Sequence, residues 1–228
     1  LFVAVMCYVI LMLFKYLSKK KEEKPETGGI KNIIFDVGQV LVDYDWETYL
    51  DSFGFEPAKR ERIAKATFQS PVWDERDRGL YEEDVYLKQF QELDPEDAED
   101  IEKVIRGTGG TIHKRPYADT WVKYLKSKGY HVYILSNYSS YMLDHTKKEL
   151  TFRREMDGEV FSCYAKQLKP DAEIYQIILN KYQLKPEECV FIDDRSENCR
   201  GAQEQGIHTI CFKDFKQVTA DLEKLGVK

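Results

Sequence analysis

The feature that most constrains the fold is an alternation of short apolar runs and helix-length segments. Strand-like runs occur at about 32–37, 131–135, 160–163, 189–192 and 208–212. Segments with the length of helices occur at about 138–150, 172–182 and 197–204. Strands that alternate with helices pair side by side in a parallel sheet. The sequence therefore predicts an α/β core.

A long insertion interrupts this alternation after the first strand. Residues 46–113 contain no convincing strand, and helical stretches occur at about 57–68, 82–93 and 95–105. An insertion at this point lies over the carboxyl edge of the sheet, where open α/β folds bind ligands. We expect residues 46–113 to be a helical cap that excludes water and selects the substrate. Residues 30–45 and 114–228 then form the core.

The N-terminal residues differ from the rest of the chain. Residues 1–14 are apolar throughout, and Lys15 and a lysine-rich cluster follow. We interpret residues 1–17 as a transmembrane anchor, although the visible run is shorter than the roughly 20 residues of a spanning helix. A signal peptide fits less well, because the lysines follow the apolar run instead of preceding it. A buried core helix is the other alternative.

The polar residues 18–29 contain proline and two glycines, which is typical of a tether. By the positive-inside rule, the lysines after the anchor place the following domain on the cytoplasmic side of the cytoplasmic membrane. Five cysteines at wide spacing show no paired or zinc-binding pattern and fit reduced thiols. A net charge of −6 argues against a nucleic-acid partner. Nothing in the sequence indicates an oligomeric state.

Three polar groups lie at the end of an apolar strand or just before a helix start, and each is suited to phosphoryl transfer. The first strand closes on Asp36, a carboxylate that can attack phosphorus and form an aspartyl-phosphate. A later strand ends in Ser136 and Asn137, whose hydroxyl and backbone amide suit a phosphate group. Lys169 precedes a proline at a helix start and offers a fixed cation for the phosphoryl group.

Each of these residues also has a structural interpretation. Asp36 could cap a helix, and Ser136 or Asn137 could cap the helix that follows them. Lys169 could be a solvated surface lysine, and Lys166 is a nearby alternative for the same role.

The fourth group is the pair Asp193 and Asp194 at the end of an apolar strand. Adjacent carboxylates repel each other, and a divalent cation between them and Asp36 lowers that cost. Hard oxygen ligands with room for water favour Mg²⁺. Alternatively, one of the two aspartates caps the next helix.

This ordered set of groups resembles the haloacid dehalogenase-like (HAD) superfamily, over roughly residues 30–212. Gly38 and the segments 168–176 and 191–198 are most similar to the branch that contains glucose-1-phosphate phosphatase. The resemblance implies a Rossmann-like parallel sheet, a helical cap after the first strand, and Mg²⁺-dependent hydrolysis of phosphate monoesters.

The resemblance also implies roles for single residues at the metal. Asp36 would be both the nucleophile and a metal ligand. The backbone carbonyl of Gly38 and the carboxylate of Asp194 would be further ligands, and Asp193 would act mainly through a metal-bound water.

At the phosphoryl group, the resemblance implies that Ser136 and the amide of Asn137 hold the oxygens. Lys169 would then bridge these oxygens to Asp36.

Gly38 is the departure from the common pattern. Phosphatases of the superfamily often carry an aspartate there that protonates the leaving oxygen, and such acid–base help is typically worth about 10² to 10⁴-fold. The glycine argues against a phosphomutase and makes dehalogenation conceivable, but the Asp193 and Asp194 pair argues for a metal that dehalogenation does not use. The phosphatase branch that the chain most resembles also carries glycine here.

Three residues are candidates to replace the missing acid or to contact the substrate. Asp43 follows the nucleophile Asp36 closely in the sequence, and its alternative role is to be the N-terminal capping residue of the first helix of the insertion. Glu75 and Arg78 lie in the cap segment 73–79, which could also be a solvated loop.

The sequence thus predicts a membrane-tethered, Mg²⁺-dependent phosphatase for a small phosphorylated metabolite such as a sugar phosphate. The alternative is a catalytically weak or inactive HAD-fold protein that binds a ligand or partner at the membrane. Gly38 is the only feature that favours this alternative.

Overall fold

The computed structural model describes residues 29–228. The predicted anchor at residues 1–17 and nearly all of the predicted tether lie outside the described residues. Among residues 29–228, no helix combines the length and the apolar character that a membrane span requires.

Within residues 29–228 the chain forms two sheets. In chain order the strands are β1 (Asn32–Phe35), β2 (Val42–Tyr44), β3 (Ile112–Lys114), β4 (His131–Ser136), β5 (Gly158–Phe161), β6 (Cys189–Asp193) and β7 (His208–Cys211). The larger sheet has the order β5-β4-β1-β6-β7, and all of its strand pairs are parallel. The predicted α/β core with a parallel sheet is confirmed.

Eleven α-helices surround the sheets in this part of the chain. They are α1 (Trp46–Asp51), α2 (Pro57–Ala66), α3 (Pro71–Arg78), α4 (Glu83–Leu93), α5 (Ala98–Arg106), α6 (Ala118–Ser127), α7 (Ser140–His145), α8 (Ser162–Ala165), α9 (Ala172–Tyr182), α10 (Ser196–Glu204) and α11 (Phe215–Lys224).

The central strand β1 is buried on both faces. Ile33 and Phe35 enter one hydrophobic core with Trp121 of α6, whereas Ile34 enters a second core with Ile178 of α9. Successive strand residues point to opposite faces, so a strand covered on both sides is apolar throughout. The result is a three-layer core whose carboxyl edge is free to carry polar groups.

The helices α1–α5 have a hydrophobic core of their own, which includes Leu50, Ile63, Phe90 and Val104. This helical unit lies between β2 and β3, which pair antiparallel with Tyr44 opposite Ile112. We call the helices α1–α5 the cap.

The structure corrects three predictions of secondary structure. The insertion is not free of strands, because Ile112 begins β3. The predicted helix at 138–150 is limited to α7, where the Thr146 hydroxyl donates to the Met142 carbonyl at 2.6 Å. Such a side-chain bond competes with continuation of the helix. The strand predicted at 160–163 is β5, and α8 begins at Ser162.

Candidate active site

Three polar side chains lie at the carboxyl ends of three neighbouring strands. Asp36 follows β1, Ser136 ends β4 and Asp193 ends β6, and β1 lies between the other two strands. Phe35 pairs with Ile192, and the backbone N–H of Asp36 donates to the Ile192 carbonyl at 2.9 Å. This register brings the three groups to one edge of the sheet.

Lys169 connects the carboxylates from the two strands. Its Nζ lies 2.8 Å from Oδ1 of Asp36 and 2.7 Å from Oδ2 of Asp193. The side chains of Lys169 and Asp193 are 1% and 0% exposed, so water screens these ion pairs very little. The buried Lys169, and not the exposed Lys166, therefore holds the cationic position beside Asp36.

Burial and charge act against each other at these groups. Burial raises the pKa of Asp36 to about 6, although the charge of Lys169 and hydrogen bonds from Lys169 and Ser136 oppose this rise. Burial lowers the pKa of Lys169, but the charges of Asp193 and Asp36 outweigh that effect and hold the pKa above its ordinary value. Lys169 is thus a permanent cation at the nucleophile.

The side chain of Asn137 fixes the backbone of Lys169. Its Nδ2 donates to the Lys169 carbonyl at 3.0 Å, and its Oδ1 accepts from the Lys169 N–H at 2.9 Å. This pair orients the Asn137 side chain toward the Lys169 backbone, and the predicted contact with phosphate is one of the Asn137 backbone amide.

The carboxylates next to Lys169 form an acidic cluster. One oxygen each from Asp36, Asp193 and Asp194 lies within 4.8 Å of the others. Burial and the charge of Asp193 raise the pKa of Asp194. Two Asp193 oxygens also accept bonds from Nδ2 of Asn198, at 3.0 and 3.1 Å, while the buried Oδ1 of Asn198 has no partner within residues 29–228.

A pocket of about 310 Å³ opens above these groups, between the core and the cap. Asp36, Gly38, Ser136, Lys169 and Asp194 belong to its core side. The opposite side is largely aromatic, and it includes Tyr44 of β2 together with Trp46, Phe68 and Trp73 from the segment that carries the cap.

The family model for haloacid dehalogenase-like hydrolases matches residues 30–206. The chain belongs to this family. Among the relatives of this HAD-like hydrolase is flavin mononucleotide hydrolase 1 of Arabidopsis thaliana, which is 24% identical over 210 residues that cover 92% of this chain and 83% of that protein.

A second relative is D-ribitol-5-phosphate phosphatase of Bacteroides thetaiotaomicron. It is 27% identical over 191 residues, which cover 79% of this chain and 90% of that protein. A HAD family enzyme of the same species, solved in complex with magnesium and inorganic phosphate, superposes with a TM-score of 0.65. The two chains are 23% identical, and the match covers 83% of this hydrolase and 99% of the other chain, which supports the shared fold.

The residues of this hydrolase fit the Mg²⁺ that the family implies. The cluster of Asp36, Asp193 and Asp194 supplies only hard oxygen donors, which are the ligands that Mg²⁺ prefers. The buried Oδ1 of Asn198 also lacks a protein partner beside this cluster. A cation with its water shell offsets the repulsion among the carboxylates and gives such an oxygen a donor.

Three further predicted site residues lie outside the lining of the pocket. Asp43 lies in β2 and pairs with Arg115 at 2.8 Å, and Asp45 instead caps α1. Glu75 is 49% exposed and pairs with Arg78. The roles of Asp43, Glu75 and Arg78 stay predictions, and the structure offers other side chains for this part of the site.

The cap contributes two carboxylates, Asp74 and Asp77, that the sequence reasoning did not identify. Segment 73–79 is not a solvated loop, because its residues up to Arg78 belong to α3. On a helix, residues three apart share a face, so Asp74 and Asp77 line the pocket together, while Glu75 and Arg78 form an ion pair on the adjacent face. A helical reading of this segment was the signal that could have found them.

Proposed function

We propose that this HAD-like hydrolase is a Mg²⁺-dependent phosphate monoester hydrolase that acts through an aspartyl-phosphate on Asp36. The observation that carries the proposal is the buried contact of Lys169 with Asp36 and Asp193, beside Ser136 at the floor of the pocket. A nucleophile, a cation and a hydroxyl donor at one point are what phosphoryl transfer requires.

In the first step, Asp36 attacks phosphorus and the bond to the leaving oxygen breaks. Ser136 and the backbone at Asn137 hold the oxygens of the phosphoryl group, and Lys169 compensates its negative charge. Asp36 and Asp194, with the carbonyl of Gly38, would hold Mg²⁺, which neutralises charge on the phosphoryl oxygens when bound. In the second step, water attacks phosphorus and releases Asp36.

The alternative of an inactive binding protein is not favoured. Its only support was Gly38, and the nucleophile, the lysine and the metal carboxylates are all assembled in one pocket. The relatives named above are a hydrolase and a phosphatase by their names.

For the substrate, we propose a small phosphorylated metabolite and, more narrowly, a sugar phosphate of the kind used by the glucose-1-phosphate phosphatase branch. A pocket of about 310 Å³ is at the small end of ligand sites. The relative named D-ribitol-5-phosphate phosphatase likewise has, by its name, a small phosphorylated polyol as its substrate. An anomeric phosphate has a better leaving group than an alkyl phosphate and depends less on an acid at position 38.

The test is phosphate release from p-nitrophenyl phosphate and from glucose 1-phosphate, with Mg²⁺ and with EDTA. We expect activity only with Mg²⁺, and Asp36→Asn abolishes it. The matched control is Asp84→Asn, since Asp84 is an 80% exposed cap carboxylate outside the pocket lining. Wild-type protein that releases no phosphate with Mg²⁺, or Asp36→Asn protein that keeps its activity, contradicts the proposal.

We also propose that residues 1–17 tether the enzyme to the cytoplasmic membrane, with the catalytic domain in the cytoplasm. The support is the apolar run followed by lysines. A tagged full chain is expected in the pellet after high-speed sedimentation of membranes. Recovery in the supernatant contradicts the tether.

A further inference from the structure

The C-terminal end of α3 is fixed to the core beside the phosphate site. Ser162 Oγ accepts from the Tyr138 N–H at 2.8 Å and donates to the Asp77 carbonyl at 2.6 Å. Lys166 donates to the Gly79 carbonyl. Since Tyr138 follows directly on Ser136 and Asn137, these bonds join the backbone of Asp77 to the loop that holds the phosphate.

Gly79 permits this close approach. Its φ of +69° is in the left-handed region, and a Cβ on it would lie 2.9 Å from the Cα of Cys163. A side chain at this position would push α3 away from α8. The cap and the core are therefore in contact at Gly79 and Cys163, and this contact sets the position of Asp77.

The side chain of Asp77 lines the pocket together with Asp36, Ser136, Lys169 and Asp194. Asp77 thus reaches the phosphate site from the cap, opposite the strand-end groups of the core.

Other titratable groups of the pocket are poorly suited to protonate a leaving oxygen. Lys169 is held by two carboxylates, and Asp194 belongs to the metal cluster. The hydroxyl of Tyr138 is engaged with Thr146 at 2.9 Å. Asp74 is a rival carboxyl group on the same helix, but its side chain is exposed, whereas Asp77 is partly buried.

Burial raises the pKa of Asp77 to about 7. The charges of Asp74 and Asp36 add to this rise, while Arg76 and the Ser139 N–H oppose it. A carboxyl group with a pKa near the working pH can both donate and accept a proton. Several titratable or charged groups act on Asp77 or respond to its charge. They come from α3, the end of β1, β2, the β4–α7 loop and α8, and they are Asp74, Arg76, Asp36, Tyr44, Tyr138 and Cys163.

We propose that Asp77 is the general acid and base of the reaction, and that it replaces from the cap the aspartate that position 38 lacks. This assignment rests on the proposed phosphatase function. Position 38 itself is open, because a Cβ on Gly38 would meet no atom of residues 29–228 within 4 Å.

The proton and the electron pairs balance over the two steps. As Asp36 forms its bond to phosphorus, the bond to the leaving oxygen breaks, and that oxygen keeps the electron pair and takes the proton of Asp77. Asp77 is then a carboxylate. It takes a proton from the water that attacks phosphorus, the bond to Asp36 breaks, and phosphate leaves with Asp36 ionised and Asp77 protonated again.

The test compares two aryl phosphates in the full-length protein with Mg²⁺. p-Nitrophenol leaves readily as the anion, whereas the leaving oxygen of phenyl phosphate is about as basic as a tyrosine side chain, with a pKa of about 10. The ratio kcat/KM reports the steps up to release of the phenol. We expect Asp77→Asn to lower kcat/KM about 10²-fold or more on phenyl phosphate and less than about tenfold on p-nitrophenyl phosphate.

The kcat values add a second readout, because hydrolysis of the aspartyl-phosphate is common to both substrates. Asp77→Asn should lower kcat on both, while Asp77→Glu, which keeps a carboxyl group, should recover part of the loss on phenyl phosphate. Asp84→Asn is the matched control in the same cap. A merely structural role for Asp77 would lower kcat/KM equally on both substrates.

The outcomes are distinguishable. If wild-type protein shows no Asp36-dependent phosphate release, the proposed function fails and the assignment of Asp77 fails with it. If wild-type protein is active but Asp77→Asn has no effect, or has the same effect on kcat/KM for both substrates, only the assignment is overturned. It is also overturned if Asp74→Asn, and not Asp77→Asn, shows the dependence on the leaving group.

Discussion

Replacement of Lys169 by methionine removes the cation that the nucleophile site depends on. The variant keeps the length and the apolar stem of the side chain but leaves Asp36 and Asp193, which face the same Nζ at 2.8 and 2.7 Å, without a counter-ion. Both carboxylates remain buried, so water cannot replace the lost ammonium group.

The magnitude follows from this burial. Removing one partner of a buried ion pair typically costs about 3–5 kcal/mol, because an uncompensated charge stays inside the protein. Domains of this size are stable by only about 5–15 kcal/mol. The loss should lower the midpoint of thermal unfolding by about 6–20 °C, since each kcal/mol shifts it by about 2–4 °C at this chain length.

The assay is urea and thermal unfolding in EDTA, where no divalent cation can take the place of Lys169. Lys166→Met is the matched control and should cost less than about 1 kcal/mol, since Lys166 is exposed and its ammonium group bonds, within residues 29–228, only to the Gly79 carbonyl. Addition of Mg²⁺ should recover part of the stability of Lys169→Met without restoring phosphate release. A Lys169→Met protein within about 1 kcal/mol of wild type in EDTA would refute the reasoning.

Three further predictions concern the cap and its acid. The pKa of Asp77 is about 7 in the folded protein and 3.8 ordinarily, so ionisation of Asp77 destabilises the folded state as the pH rises. The free energy of unfolding of Asp77→Asn, relative to that of wild type, should therefore increase by about 1–2 kcal/mol from pH 5 to pH 8, after allowance for partial exposure. Urea titrations at the two pH values measure this, and an equal difference at both contradicts it. Gly38→Asp should restore most of the phenyl phosphate hydrolysis that Asp77→Asn loses, since the added Cβ meets no atom of the described part of the chain within 4 Å. A double variant as slow as Asp77→Asn counts against the shared role. Gly79→Ala should lower the free energy of unfolding by about 1–3 kcal/mol, because Gly79 has a φ of +69° and contacts Cys163. An unchanged midpoint of thermal unfolding would show that the contact of Gly79 with Cys163 does not fix α3 to the core.

The core groups could be predicted because strand ends are visible in a sequence. The apolar runs that end at Asp36, Ser136 and Asp193 mark the carboxyl edge of a sheet, and parallel pairing alone brings these residues together. No such rule decides between Lys166 and Lys169. That choice depends on the amide pair of Asn137 with the Lys169 backbone, which is a contact across 32 residues of sequence.

The cap side of the site was missed for a different reason. The short helix α3 has Pro71 at its first position and Gly79 just after its end, and both are standard signals of helix boundaries. Its apolar content is low, so hydrophobic periodicity did not mark it, and the face shared by Asp74 and Asp77 stayed hidden. Which face of such a helix turns inward depends on the docking of Gly79 against Cys163, which no local pattern encodes.

The antiparallel pairing of β2 with β3 has a wider consequence. Because Tyr44 and Ile112 lie side by side, the chain leaves the core and returns to it at nearly the same point. For the core sheet, the 67 residues between them are a closed loop, and the length of such a loop has little effect on the stability of the sheet. Helices within that loop can be exchanged, shortened or repacked while the nucleophile and the lysine stay in register. If the proposed acid Asp77 lies on the cap, one inserted segment carries both the substrate pocket and the proton donor, so a replacement of the cap changes both together.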